Sequence, residues 1–232
     1  MAVVDANSAL GIFLSISPVV VCILCFSFPG MSIHAIYKRR STGDFPLATF
    51  YIMAIQCSIW FVYGLFKNSY TVWFPNGVGV VLGYLYTIVF IKYYRGPVKE
   101  LFPQIALGLL TLVALFFVYL LSSTPETYFG LFGAVGSIMF TASPLFAIAT
   151  VLKTRSLATM PCHTSFILFL NASLWTGFGI LVANDPAVYV PNLVGLFAGT
   201  LQVIVHMYFF IAQPQIETYD NLDDLDSEAA LR

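Results

Sequence analysis

Seven apolar stretches follow one another along the chain, each near the roughly 20 residues that an α-helix needs to cross the hydrocarbon core of a bilayer. They fall at about 8–37, 45–66, 71–94, 101–122, 128–152, 160–182 and 187–212. The interruptions are short and carry turn and helix-end residues: Lys38-Arg39-Arg40-Ser41, Lys67-Asn68-Ser69, Arg95-Gly96-Pro97, Ser123-Thr124-Pro125, Lys153-Thr154-Arg155 and Asn184-Asp185-Pro186. The pattern predicts an all-α membrane protein of seven transmembrane helices with no room for a soluble domain.

Composition points the same way. With 59% hydrophobic and 9% charged residues and a mean hydropathy of +0.87, the chain has too little polar surface to cover a soluble core, so lipid has to be its solvent. Aromatics at 16% suit helices that face acyl chains and headgroups. The N-terminus lacks a basic region and a cleavage site, and the first stretch therefore reads as a spanning helix and not as a signal peptide. Lys38, Arg39, Arg40, Lys92, Arg95, Lys99, Lys153 and Arg155 gather in the first, third and fifth connections, which the positive-inside rule places in the cytosol. The N-terminus is then outside and the C-terminus inside, where residues 213–232 form an acidic tail that reads as a solvated end.

The chain repeats itself. At an offset of 115 residues Pro29 meets Pro144, Lys38 meets Lys153, Arg40 meets Arg155, Pro46 meets Pro161, Trp60 meets Trp175 and Gly64 meets Gly179. After one inserted residue the offset is 116, and Pro75-Asn76 meets Pro191-Asn192, Gly79 meets Gly195 and Gly83 meets Gly199. Residues 8–94 are thus a first three-helix unit, 101–122 a linker helix and 128–212 a second unit, an arrangement of two parallel three-helix bundles joined by one helix (3+1+3). Two parallel units about an axis along the membrane normal can enclose a path and rock against each other.

Chemistry within the spans is sparse and neutral. Each unit has a proline inside its first helix (Pro29, Pro144) and one at the start of its second (Pro46, Pro161), weak points suited to hinges of a cytosolic gate. Asn76 and Asn192 repeat each other, and amides that donate and accept match hydroxyl groups that do both, so the pair could grip one substrate from opposite sides; single membrane asparagines are otherwise interhelical glue. Gln56, Cys57, Asn171, Gln202 and His206 are the other polar groups noted within spans. Trp175 falls at a depth like that of the asparagines, where a flat ring could stack on a sugar. No Asp, Glu, Lys or Arg lies near the middle of a span, which favours uncoupled, downhill movement of an uncharged solute. No phosphate-binding loop, nucleophile constellation or zinc motif suggests an enzyme, a cofactor, a metal or nucleic acid as partner. The four cysteines, Cys22, Cys25, Cys57 and Cys162, predict no disulfide.

These residues resemble the SWEET sugar transporters of the MtN3/saliva type over nearly the whole chain. The resemblance rests on Lys153-Thr154-Arg155-Ser156-Leu157-Ala158-Thr159-Met160-Pro161, Ser143-Pro144-Leu145, Trp60-Phe61-Val62-Tyr63-Gly64, Pro75-Asn76-Gly77-Val78-Gly79, Asp185-Pro186, Pro191-Asn192 and Gly195. It implies a 3+1+3 carrier that moves mono- or disaccharides in both directions down their gradient, often as a homo-oligomer. It also implies that Asn76, Asn192, Trp175 and Cys57 are sugar-pocket positions, that Pro29, Pro46, Pro144 and Pro161 form the inner proline tetrad, and that Asp185 is an outer-gate acid. The outer-gate Tyr of some members aligns near Trp60. The chain departs from common plant patterns at Phe28-Pro29 and Phe178-Gly179.

Two other readings compete. A proton-coupled amino-acid exporter of the PQ-loop group would want Pro-Gln dipeptides and intramembrane acids, whereas Leu47 follows Pro46 and Cys162 follows Pro161. A seven-helix receptor has no reason to repeat. Tyr219-Asp220-Asn221-Leu222 fits an endocytic sorting signal for an adaptor partner. The plasma membrane is the expected location, with an endomembrane or vacuole as the alternative.

Overall fold

Every backbone N–H and C=O inside a bilayer has to find its partner within the protein, and each of the seven apolar stretches does so as a helix. The computed structural model describes residues 4–157 and 160–230, with side chains over 4–141, 145–157 and 160–211. The helices are α1 (Ala9–Arg39), α2 (Leu47–Phe66), α3 (Tyr70–Tyr93), α4 (Phe102–Leu121), α5 (Pro125–Thr154), α6 (Cys162–Val182) and α7 (Pro186–Ile211), the last being the apolar part of a helix that continues to Ala230. Ser8 caps α1, its hydroxyl accepting from the Gly11 N–H at 3.1 Å. Pro46 and Pro161 stand with extended backbone immediately before α2 and α6, where a missing N–H costs nothing. Lys38, Arg39, Lys92 and Lys153, read from the sequence as connection residues, sit in the last turns of α1, α3 and α5, where a cation meets the negative end of the helix dipole.

The repeat is visible in the backbone. Among the described residues four non-glycine positions adopt left-handed φ, and they form two repeat-matched pairs: Arg40 (56°) with Arg155 (51°), which end α1 and α5, and Asn68 (49°) with Asn184 (49°), which turn the chain after α2 and α6. The single inserted residue has a location too. In the first unit the Lys67 N–H donates to Tyr63 O four residues back, whereas the matching bond of the second unit, Ala183 N–H to Phe178 O, spans five. Phe178–Val182 is accordingly a π-helical turn, the form a helix takes when one residue is added without changing its ends.

In each bundle the third helix is the middle one: α3 packs on α1 and α2, and α7 on α5 and α6. Small residues set these crossings and also match. A Cβ on Gly64 would lie 2.5 Å from the Trp73 backbone N, and one on Gly179 would lie 2.8 Å from Tyr189 Cβ. Gly83 similarly sits on Ala54 and Gly199 on Phe169. The bundles meet through α1 with α6 and α2 with α5, while α4 packs mainly on α2, where Gly108 meets the Tyr51 ring. The rest of α4 is open apolar surface for lipid, with Leu109, Phe116 and Leu120 all more than half exposed. At the end of the molecule carrying these cationic connections, hereafter the basic end, the Arg40 guanidinium donates to the Tyr93 hydroxyl and lies 4.7 Å and 5.3 Å from the Tyr37 and Tyr93 ring centroids.

Candidate functional site

A cavity of about 590 Å³ lies between the two bundles. Its walls follow the repeat: Trp60 with Trp175, Asn76 with Asn192 and Thr49 with Thr164 face it from the two sides. It therefore straddles the pseudo-twofold axis. Its polar groups are amides, hydroxyls and thiols, and no Asp, Glu, Lys, Arg or His lines it among the described residues.

Among the described residues the two ends of the cavity differ. Toward Asp185 it ends under buried side chains, with Val72 and Val188 both 2% exposed and Tyr63 and Phe178 behind them. The Tyr63 hydroxyl donates to Asp185 Oδ2 at 2.5 Å, and Asp185 Oδ1 accepts from the Ala187 N–H at 3.0 Å at the start of α7. Trp60 packs edge-on beneath Tyr63 with ring centroids 5.4 Å apart, and its indole N–H donates to Ser137 Oγ at 3.2 Å on α5. Toward the basic end the wall residues Thr49 and Thr164 are exposed, as are Pro46 and Pro161 just beyond them. Among the described residues the cavity is thus more open toward its basic end.

Asn76, Asn192, Trp175 and Cys57, the four residues expected from the resemblance to line a sugar pocket, lie together on the wall of this cavity, with Trp60 and Pro29. Asn76 Nδ2 donates to Val72 O at 2.8 Å and Asn192 Nδ2 to Val188 O at 2.7 Å, each within its own helix. Neither bond joins two helices. Each keeps one amide hydrogen and the carbonyl oxygen for something in the cavity. Cys57 is buried, with its sulfur where a Cβ on Gly79 would come, 2.5 Å away. Pro29 interrupts α1: the regular ladder runs Ala9–Ser27, resumes at Pro29–Arg39, and is bridged by the three-residue bonds Phe28 N–H to Cys25 O and Met31 N–H to Phe28 O. In the matching place α5 is continuous from Pro125 to Thr154; the side chain of Pro144 lies outside the described residues, as do those of Tyr219 to Leu222.

Three features escaped the sequence. Tyr63, three residues beyond Trp60 and so on the same helix face, is the group that reaches Asp185. Gln56 ties the bundles together, its Nε2 donating to Gly133 O at 2.6 Å and to Ser137 Oγ at 3.0 Å. Asn171 Oδ1 and Gln202 Oε1, both on cavity-lining residues, are buried without a hydrogen-bond partner among the described residues.

A family profile described as a sugar efflux transporter for intercellular exchange matches residues 12–97 and 127–214, one segment on each bundle. Bidirectional sugar transporter SWEET16 of Arabidopsis thaliana is 30% identical over 213 residues, covering 88% of this chain and 91% of its own. SWEET1 of the same plant is 32% identical over 193 residues, covering 79% of this chain and 77% of its own. The solved structure of a eukaryotic SWEET transporter superposes with a TM-score of 0.77 at 22% identity, covering 85% of this chain and 95% of that one, and shares the fold. With both three-helix units matched and the linker between them, the chain belongs to the SWEET, or MtN3/saliva, family.

Proposed function

We propose that the chain is a facilitative carrier that moves a neutral mono- or disaccharide in either direction down its gradient by alternating access. The observation that carries this is the uncharged cavity on the axis between the bundles, in which repeat-matched Asn76 and Asn192 hold unspent amide capacity opposite Trp60 and Trp175. An amide pair suits hydroxyls that both donate and accept, and an indole face suits the C–H face of a pyranose. A carrier coupled to protons would want a carboxylate or an imidazole in that path, and neither lines it among the described residues. The names of the SWEET16 and SWEET1 relatives, both bidirectional sugar transporters, support the substrate class.

On this reading the Tyr63–Asp185 bond is the outer gate, and Pro29, Pro46, Pro144 and Pro161 surround the inner one. The basic end faces the cytosol, the N-terminus is outside, and the plasma membrane is the principal location. The broad apolar surface of α4 meets lipid, and a second copy where the chain assembles as a homo-oligomer.

The test is uptake of radiolabelled glucose and sucrose by cells lacking their own sugar carriers, with and without a proton uncoupler. Uptake that ignores the uncoupler and equalises the two sides is the expected result. Surface-localised protein that carries neither sugar would overturn the proposal and send the search to amino acids.

A further inference from the structure

Gln202 lies on α7 ten residues beyond Asn192, which is about 15 Å along the helix toward the basic end. The residue is 4% exposed, lines the cavity, and has a buried Oε1 with no hydrogen-bond partner among the described residues. Leaving a buried amide unpaired is costly, and native proteins seldom do it without a water, an ion or a ligand to answer it.

The repeat sharpens the anomaly. The first-unit mate of Gln202 is Tyr86, whose hydroxyl fills the space beside Gly30, 2.9 Å from where a Cβ would be. That position is therefore occupied by packing in one bundle and left as an open amide in the other. The backbone around Gln202 is also fixed: the His206 ring places Nδ1 2.8 Å from Gln202 O and Nε2 2.9 Å from Met160 O, which holds this turn of α7 against the residue before Pro161. An amide on a fixed stretch of backbone, on a residue that lines the cavity and with an oxygen that no protein donor answers, is placed to turn toward a passing solute.

We propose that Gln202 is a second, exit-side contact for the sugar, hydrogen-bonding one of its hydroxyls after it has left the Asn76–Asn192 level on its way to the basic mouth. The proposal rests on the sugar-carrier reading above. The contact is one-sided, because the first-unit mate Tyr86 is off the cavity wall and packs its hydroxyl beside Gly30. A sugar moving inward passes from a symmetric grip to an asymmetric one, and the carrier keeps hold of it while the proline-flanked mouth is open.

The test uses purified full-length protein in proteoliposomes and the half-saturating glucose concentration for equilibrium exchange. Gln202→Met keeps the length of the side chain and removes its polar atoms. The expected result is a rise of about fivefold in half-saturation, one hydrogen bond lost, with thermal stability in detergent equal to or above that of the wild type. Thr176→Val is the control, since Thr176 Oγ1 is also buried and unpartnered but is off the cavity wall; it should leave exchange unchanged. A series of monodeoxyglucoses then separates contact from packing. One of them should lose affinity in the wild type and lose nothing further in Gln202→Met.

Should Gln202→Met fold poorly, the same cycle is run with Gln202→Ala and Gln202→Asn, and the coupling to one deoxy position decides. Strictly additive losses across the series, or unchanged exchange in a stable Gln202→Met, overturn the exit-side contact while leaving the carrier function standing. A wild type that exchanges no sugar at all overturns both.

Discussion

The Tyr63 hydroxyl and Asp185 Oδ2, 122 residues apart in sequence, are joined by a 2.5 Å hydrogen bond that ties α2 of one bundle to the connection before α7 of the other. Their repeat mates are Phe178 and Ser69, which cannot reproduce it, so the Asp185 end of the cavity is latched on one side only. Tyr63→Phe removes the hydroxyl and keeps the ring against Trp60. A hydrogen bond to a charged group is worth about 1.5–3 kcal/mol, so the population of molecules open at the Asp185 end should rise by about tenfold or more. The measurement is the rate at which a membrane-impermeant maleimide, added on that side of intact cells, labels cavity-lining Cys25. An unchanged rate would mean that Val72 and Val188 hold the seal without the latch.

Asn192→Ala separates substrate contact from helix packing more cleanly than most intramembrane substitutions. Among the described residues the Asn192 amide bonds only to Val188 O of its own helix, a group that already serves the helix ladder, so its loss orphans no interhelical partner there. Stability should change by less than about 1 kcal/mol, within the range of a single helix-surface substitution. Sugar flux should fall at least about tenfold, since the amide offers two hydrogen bonds to a hydroxylated solute. Asn76→Ala should behave alike by symmetry. A variant that unfolds in detergent at markedly lower temperature would restore the role of structural glue.

These two cases mark what the sequence could and could not convey. The helices were legible because lipid demands long apolar runs, and the two bundles because Pro, Gly and Trp are rare enough for Pro29 with Pro144 or Gly83 with Gly199 to register against each other. The pairing of Asn76 with Asn192 followed from the same comparison, whereas the direction of their amides did not, because a bond to the carbonyl four residues back leaves no trace in residue identity. The offset change from 115 to 116 announced an insertion, but its absorption as a π turn at Phe178–Val182 depends on how the last turn of α6 closes. Tyr63 was hidden because its partner lies in the other bundle; only packing α2 against the α6–α7 connection brings a hydroxyl to a carboxylate.

Gly83 and Gly77 lie six residues apart on α3 and should respond differently to alanine. A Cβ at Gly83 would come 2.8 Å from Ala54 Cα and 2.9 Å from Ala54 N, backbone atoms of α2 that cannot move without opening the crossing. A Cβ at Gly77 would meet only the Phe61 ring, at 3.2 Å, and a ring edge can tilt by a few tenths of an ångström. Gly83→Ala should destabilise by about 1–3 kcal/mol and lower expression, as overpacking in a tight interface does, while Gly77→Ala stays within about 0.5 kcal/mol. Thermal unfolding in detergent checks both, and equal effects would show that the α2–α3 crossing is softer than its contacts imply.

Arg40 and Arg155 occupy the same left-handed position at the ends of α1 and α5, yet replacing each with glycine should move stability in opposite directions. At φ of 51° Arg155 carries the steric cost of a Cβ facing its own carbonyl, and its side chain is exposed. Glycine removes that cost at some expense in unfolded-state entropy, so Arg155→Gly should gain about 0.5–1 kcal/mol. At Arg40 the same relief is outweighed. The substitution deletes the hydrogen bond to the Tyr93 hydroxyl and the guanidinium lying over Tyr37 and Tyr93, together worth about 1–3 kcal/mol, and frees the basic-end termini of α1 and α3 from each other. A raised melting temperature for Arg155→Gly beside a lowered one for Arg40→Gly is the expected pair. Two shifts of the same sign would show that backbone strain, and not the Tyr37–Arg40–Tyr93 stack, governs both helix ends.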